Sequence, residues 1–370
     1  MRLERVDLVR VAMPLVRPFR TSFGVQQTRD VLLVHVVTER GEGWGECAAH
    51  AEPFYNEEFT ESALLVLQRW LVPAAAEASR EPGFDADGVG RACRQVKGYR
   101  AAKAGLEMAV LDAQLRAEGR SLAAHLGGTR PAIDVGVSVG ITPTVSELVE
   151  QVRGYVADGY RRVKLKVMPG WDLEPVGAVR DVFPDLALQV DANAGYEPSD
   201  SALVASLDRF GLLMIEQPYA PDELQAHARL AAEMSTPICL DESILSVAHA
   251  RAAIEMGACT IVNIKVGRVG GVLEGVRIHD ACAALGIPVW CGGMLETGVG
   301  RAANVALASL PNFTFPADIS ASDRYWRRDI TDPFVLDGST IEVPRGPGLG
   351  VPIHRDVLAE LGAQTIPVPW

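Results

Sequence analysis

The amino-acid sequence predicts an α/β protein: a (β/α)8 barrel of eight parallel strand–helix units, preceded by a separate α+β unit to which the tail returns. From about residue 130 onward, short runs rich in Val, Ile and Leu alternate with helical stretches rich in Ala, Leu and Arg. Each run ends in a polar residue, and these ends recur at a near-constant interval. No GxGxxG turn follows an early strand, as a doubly wound open sheet would need, and GRVGG at 267–271 has the glycines without that spacing.

The eight runs are AIDVGVSVG (132–140), RRVKLKV, LALQVD, GLLMIEQP, TPICLDE, CTIVNIK, GIPVWCGG and NFTFPAD. Lys166, Asp191, Glu216, Asp241 and Lys265 end five of them at separations of 25, 25, 25 and 24, and Cys291 and Asp318 follow after 26 and 27. One strand, one helix and two short loops need this much chain. Near-continuous apolar strands alternating with helices build a parallel sheet covered on both faces. Eight such units close into a barrel, whose chemistry gathers where strands end and loops begin.

Residues before about 128 have a different pattern. DVLLVHVVTE (30–39) is a strand of a small antiparallel sheet, GEGWGECAAHAEPFY is a loop, and 57–78 and 99–118 are helical, the second with apolar residues at helical spacing. After the barrel, VPRGPGLGV and a short helix near 355–362 lead back to this unit.

Composition bounds the function. Of 370 residues, 48% are hydrophobic and 22% charged, as in globular proteins. The net charge of -12 argues against nucleic acid or an anionic membrane as partner, and leaves a small anionic substrate open. MRLERVDLVRVAMPLV carries charges every few residues, and no later run approaches a membrane span, so a cytoplasmic protein is expected. Cys47, Cys93, Cys239, Cys259, Cys282 and Cys291 show no CxxC or zinc spacing and are expected to be reduced core thiols.

Parity places the strand-end charges. Residues i and i+2 of a strand face the same way, so Lys164 and Lys166 both point into the barrel, as do Glu216, Asp241 and Lys265. Asp191, Glu216 and Asp241 come from the third, fourth and fifth strands, and their carboxylates are expected to converge. Each alone would be an ordinary helix cap, but three in register repel unless they share protons or enclose a cation. A hard divalent ion suits the set: Mg2+, with Mn2+ or another divalent ion as substitute. Lys166 and Lys265, ending the second and sixth strands, face each other across the mouth. A small-molecule carboxylate held between them offers its α proton to one amine while the metal stabilises the enediolate. Lys164 either lowers the Lys166 pKa as a like charge or pairs with a neighbouring acid. Rival classes are a Schiff-base aldolase, insensitive to chelation, and a non-catalytic barrel, which has no need of this full set of lysines and acids.

The motifs Lys164-Leu-Lys166, Asp191-Ala-Asn193, Glu216-Gln-Pro218, Asp241-Glu-Ser243 and Asn263-Ile-Lys265 resemble those of the enolase superfamily, muconate-lactonizing subgroup. MPLVRPFRTSFG, KLKVMPGWD, NIKVGRVGGVLEG and VWCGGMLETGVGRAANVALASLPNFTFPADISASDR are most similar to its o-succinylbenzoate synthase and N-succinylamino acid racemase family. The resemblance implies a modified TIM-type barrel over 129–325 and a capping domain built from 1–128 and the returning segment 326–370. A homo-oligomer is expected. The resemblance also implies two reactions at one site. In the synthase, Lys166 takes a proton from a cyclohexadiene carboxylate and hydroxide leaves, giving 2-succinylbenzoate for menaquinone, with Lys265 as a cation beside the ring. In the racemase, Lys166 and Lys265 exchange roles on an N-succinyl amino acid. Muconate cycloisomerase is the alternative within the superfamily. A histidine at strand seven, as in mandelate racemases, is replaced here by Cys291-Gly292-Gly293, and the DxD of dipeptide epimerases by Asp318-Ile-Ser320.

The same resemblance makes 17–24 and 48–56 capping loops, with Phe19, Phe23 and Tyr55 either lining an apolar wall or packing between domains. Ser138, Asn193 and Ser320 are candidate hydrogen-bonding residues for substrate or metal, turn chemistry being the other role of the serines. Arg268 is expected to set the field at Lys265 or to form a surface salt bridge. Gly293 and Met294, with Glu296, reach the pocket or pack in their loop, and Glu242 supports the site from behind.

Overall fold

The computed structural model describes residues 1–370. Strands β1 (Leu3–Thr21), β2 (Gly24–Thr38) and β3 (Gly41–Cys47) form an antiparallel sheet, and the chain's last strand, Gln364–Pro367, adds to it beside β1. The tail returns as the sequence predicts. In β1, buried Val9, Val11 and Met13 alternate with Arg10, Ala12 and Pro14 on the wetter face. The expected capping loop at 17–24 is instead the tip of the β1–β2 hairpin, with a register shift between Pro14 and Phe19. Residues 48–56 form a loop.

Glycine content points to a loop over 41–47, yet β3 lies there. The glycines serve packing rather than turning. A Cβ on Gly45 would lie 2.1 Å from the Gly105 carbonyl oxygen, and one on Gly43 2.3 Å from that of Ala109, so the helix Arg100–Glu118 lies directly on the strand. Because backbone cannot yield as a flexible side chain can, Gly45→Ala is expected to cost about 3 kcal/mol. A fall in the thermal unfolding midpoint would show it, with Gly90→Ala, which has open space around it, as control.

The second unit begins at β4 (Ala132–Asp134) and continues through β5 (Val137–Val139), β6 (Arg162–Lys166), β7 (Ala187–Asp191), β8 (Ile215–Glu216), β9 (Ile238–Leu240), β10 (Ile261–Ile264) and β11 (Val289–Cys291). β5 to β11 pair in parallel, in sequence order, as a seven-stranded curled sheet with helices between strands. Two features depart from eight regular units. AIDVGVSVG is two strands, since β4 turns away to pair antiparallel with Thr340–Glu342. The eighth run is no continuous strand: Phe313 bridges to Val289 and Ala317 to Val135, closing the ring through isolated contacts. Pro316 has no N–H for a ladder there. After it comes only the short turn Ser322–Arg324 in place of a helix.

One continuous apolar cluster runs through cap and barrel. Buried carboxylates join them at helix N-termini, where unpaired backbone N–H groups point outward. Glu46 on β3 accepts from Thr297 N and Gly300 N, both at 3.1 Å or less, at the start of Gly298–Ala308. Glu107 accepts from Leu273 N at 3.1 Å, at the start of Val272–Ala284. Burial pushes the Glu107 carboxyl up to about 8 from 4.5. The folded group thus keeps its proton through a range in which the unfolded one has lost it. This contribution is fully present below about pH 4.5 and is lost as pH rises through about 8. Glu107→Gln is expected to flatten that decline by on the order of 2–4 kcal/mol, measured as unfolding free energy in denaturant at pH 6 and pH 9.

All six cysteines are buried and unpaired. No helix is long and apolar enough to cross a membrane.

Candidate active site

The RVKLK of β6 alternates three cations with two aliphatic residues, and the pleat sorts them: Val163 and Leu165 face the helices, whereas Arg162, Lys164 and Lys166 face the barrel interior, where each is at most 7% exposed. Ammonium groups so placed need anions. Lys164 Nζ lies 3.0 Å from Asp191 Oδ2, 3.0 Å from Glu216 Oε2 and 2.9 Å from Asp318 Oδ2. Lys166 Nζ donates to Asp191 Oδ2 and Asn193 Oδ1, both at 2.6 Å. Strand register explains the row: Lys166 stands opposite Asp191, and Asp191 opposite Glu216. Below them Arg162 sits 3.6 Å from Asp318 and over the Trp290 ring, in space that a Cβ on Gly136 would fill.

Asp241 follows β9. Its backbone N–H donates to Gln217 Oε1 at 2.9 Å, a contact made by a residue in the left-handed region (φ 39°), as are Asn193 and Ala194 in the preceding loop. Such strained positions gather at sites that fix side-chain direction. Lys265 Nζ donates to Asp241 Oδ2 at 2.6 Å and to the Tyr55 hydroxyl at 3.3 Å, and that hydroxyl reaches Asp241 Oδ1 at 3.4 Å. Arg268 pairs with Asp241 from behind.

Asp191 and Glu216 thus meet at the Lys164 ammonium, whereas Asp241 is turned to Lys265 and Arg268, and no cluster of three His, Cys, Asp or Glu groups forms. Each carboxylate faces an amine instead, because buried anions draw the nearest cations into the space between them. The Lys164 pairing reading holds, and its like-charge effect holds as well. Burial depresses the Lys166 pKa, and Lys164 adds to this against the opposing pull of Asp191. Burial also works against the charged forms of Lys164 and Lys265, but at Lys164 the charges of Asp318, Glu216 and Asp191 outweigh it, and at Lys265 those of Tyr55, Glu242 and Glu216 do. Both amines are held above the ordinary lysine value. Glu216 is pushed up by burial and by the Asp191 charge.

A cavity of about 290 Å³ opens above this row. It brings together Lys164, Lys166, Lys265, Asn193, Ser138, Gly293 and Met294 with Phe19, Phe23 and Tyr55 of the cap, and Glu296 also reaches it. Ser138 Oγ is buried without a partner. Gly293 allows close approach, since its Cβ would lie 2.6 Å from the Asp318 carbonyl oxygen. Two expectations are corrected. Arg268 is neither a surface residue nor a wall of the cavity: it is 3% exposed and donates to the Ile244 and Asn263 carbonyls. Ser320 is buried beneath the wall formed by Asp318 and Ile319. Tyr55 does more than supply an apolar surface, because its hydroxyl meets Lys265. Glu242 supports Asn193 through Oε1 at 3.0 Å, while its Oε2 is buried and unpartnered.

Sequence reasoning missed Arg162, Asp318, Tyr325, Gln26 and His50 as members of the site. The alternation of RVKLK extends back to Arg162, and the strand-end period already lands on Asp318. His50 lies within the capping loop 48–56 that the resemblance marks, and no sequence signal marks Tyr325 or Gln26.

Residues 147–357 match the family model for an enolase C-terminal domain-like domain, and residues 4–127 that for a mandelate racemase / muconate lactonizing enzyme N-terminal domain. The chain is 56% identical to an N-succinylamino acid racemase of Amycolatopsis sp over 362 residues, 98% of each chain. It is 48% identical to an o-succinylbenzoate synthase of Geobacillus stearothermophilus, covering 95% of this chain and 94% of that protein. The crystal structure of an enolase superfamily member from Listeria innocua superposes over the whole of both chains with a TM-score of 0.93 at 39% identity. The chain thus belongs to the enolase superfamily and, within its muconate-lactonizing subgroup, to the family of o-succinylbenzoate synthases and N-succinylamino acid racemases.

Proposed function

We propose that the protein removes the proton α to a substrate carboxylate with the help of a divalent cation, acting as an o-succinylbenzoate synthase, an N-succinylamino acid racemase, or both. The observation that carries this is the pair Lys166 and Lys265: they end strands half a ring apart, line one cavity, and differ in charge preference, one amine depressed by burial and the other held protonated.

The donor set fits a hard cation. Asp191, Glu216 and Asp241 are at most 1% exposed, and two of them already share a position 3.0 Å from a positive charge, the Lys164 ammonium. The unpartnered Glu242 Oε2 adds negative potential beside them. These three carboxylates would hold Mg2+, or Mn2+ in its place. When bound, the ion supplies positive charge for the substrate carboxylate and the enediolate derived from it.

The chain's own groups do the rest. Lys166, neutral, takes the proton on one face. Lys265, charged, returns a proton on the other face in the racemase, or remains a cation beside the ring system in the synthase. Tyr55 ties Lys265 to the capping loop, so closure of the cap sets the position of that amine. In this reading the capping domain comprises residues 1–128 and 326–370, the barrel 129–325, and the cap's aromatic residues exclude water. A Schiff-base aldolase is disfavoured because each amine is engaged by a carboxylate.

Assay of the purified protein, with added Mg2+, on the cyclohexadiene precursor of 2-succinylbenzoate and on N-succinyl amino acids tests the proposal. Turnover of at least one is expected, with incorporation of solvent deuterium at the α carbon during racemisation. Inertness towards both would remove the assignment, and the ratio of kcat/KM values ranks the two activities.

A further inference from the structure

His50 is a group for which proton abstraction has no use. Its backbone is pinned: the carbonyl accepts from Thr60 N at 2.8 Å and from Thr60 Oγ1 at 3.1 Å, where the capping loop meets the helix Thr60–Val66. Its ring packs against Tyr55 and Phe23, with centroids 5.5 and 6.3 Å away, and lines the cap side of the cavity. Gln26 Nε2 lies 2.7 Å from His50 Nδ1. An amide nitrogen only donates, so Nδ1 accepts and the ring proton resides on Nε2. No protein group accepts from Nε2, which leaves a fixed N–H donor at the cavity wall.

The rest of the cavity decides what this donor meets. With the substrate carboxylate over β7 to β9 and the reacting carbon between Lys166 and Lys265, two directions remain for the other substituents: across the mouth towards Ser138 and Asp318, or up into the cap. The cavity's one guanidinium, Arg301, has no carboxylate within ion-pair distance and lies on the barrel side with Tyr325, drawing an anionic acyl tail that way. The cap end carries Gln26, Gln27, Thr28 and His50, with Glu52 to repel an anion. Burial, with the charges of Arg29, Lys265 and Lys166, keeps the His50 ring neutral, and the same charges oppose a cation beside it.

We infer that His50, oriented by Gln26, is a specificity-determining hydrogen-bond donor for the amino-acid side chain of the substrate, favouring one that ends in a neutral oxygen acceptor such as a carboxamide. This rests on the racemase part of the proposed function and goes beyond it by naming the side-chain class. His50 acts on recognition and takes no part in moving the α proton.

The experiment compares N-succinyl-L-glutamine with N-succinyl-L-norleucine, similar in length but without the acceptor, in the Mg2+-loaded full chain. His50→Leu is expected to lower the ratio of kcat/KM for the glutamine substrate over the norleucine substrate about tenfold, chiefly through KM for the glutamine substrate, the size of effect one lost hydrogen bond gives. Gln26→Leu, which frees the tautomer and leaves the ring in place, is expected to shift the ratio the same way by about threefold. His50→Asn, which retains an N–H donor, should recover part of the preference. An equal fall for both substrates in His50→Leu would make the residue a support for the loop and overturn the inference, as would an unchanged ratio. Should His50→Leu fail to fold, the Gln26→Leu ratio decides in the same way. A wild-type protein inert on both substrates would remove the racemase assignment itself, whereas an active wild type without discrimination would remove only the role given to His50.

Discussion

Replacing Lys166 by alanine is expected to lower kcat by about 10³-fold in both reactions, the contribution of a positioned general base. Substrate KM should change far less, since the amine's bonds in the free protein run to Asp191 and Asn193. Lys265→Ala distinguishes the two chemistries. A racemase needs an acid or base on each face, so loss of Lys265 should stop racemisation to a similar degree. A synthase that uses it only as a cation should lose one to two orders of magnitude less. Deuterium exchange at the α carbon sharpens the comparison: Lys265→Ala should still exchange the proton on the Lys166 face of one enantiomer, and Lys166→Ala that of the other. Exchange of the same enantiomer in both variants would show that the amines do not address opposite faces. The depressed Lys166 pKa sets the direction of any pH effect, because the base is active only when neutral and activity should rise with pH as it loses its proton.

The strand ends were legible for a simple reason. A period of 25 and the two-residue alternation of a strand are local properties, and together they determine which side chain stands where on the ring. Lys166, Asp191, Glu216, Asp241 and Lys265 accordingly lie where expected, and Lys166, Asp191 and Glu216 sit in one register row. Contacts between distant segments were not legible. The glycines of β3 look like turn residues until the helix 55 residues further on is seen lying against them. Tyr55 looks like an aromatic wall until its hydroxyl is found on Lys265, 210 positions away. Arg268, close behind a strand end, faces away from the cavity because its helix begins at Val266 and turns it towards Asp241. The acids were expected to gather around a cation. Their pairing with lysines follows from the same charge balance, since Lys164 can neutralise three acids at once.

That balance gives the second large effect. Five buried acids of the site, Asp191, Glu216, Asp241, Glu242 and Asp318, face five buried cations, Arg162, Lys164, Lys166, Lys265 and Arg268. A base must be neutral to act, so turnover removes one positive charge from the set and leaves the acids in excess. The substrate carboxylate adds a second uncompensated negative charge, and a divalent ion held by Asp191, Glu216 and Asp241 would offset both, so chelation with EDTA is expected to abolish activity, with recovery on adding Mg2+ or Mn2+. Asp241→Asn is the sharper test, because it removes a donor and also strips Lys265 and Arg268 of the carboxylate they share. Leaving buried cations unpaired costs about 3–5 kcal/mol. The variant should melt lower than wild type without metal and should gain less stability from added Mg2+, since the stabilisation a ligand gives rises with the logarithm of its affinity. Calorimetric titration with Mg2+ reads the affinity directly. Binding as tight as wild type would take Asp241 out of the ligand set, whereas weakened binding alongside an unchanged melting point would show that Lys265 and Arg268 find other anions.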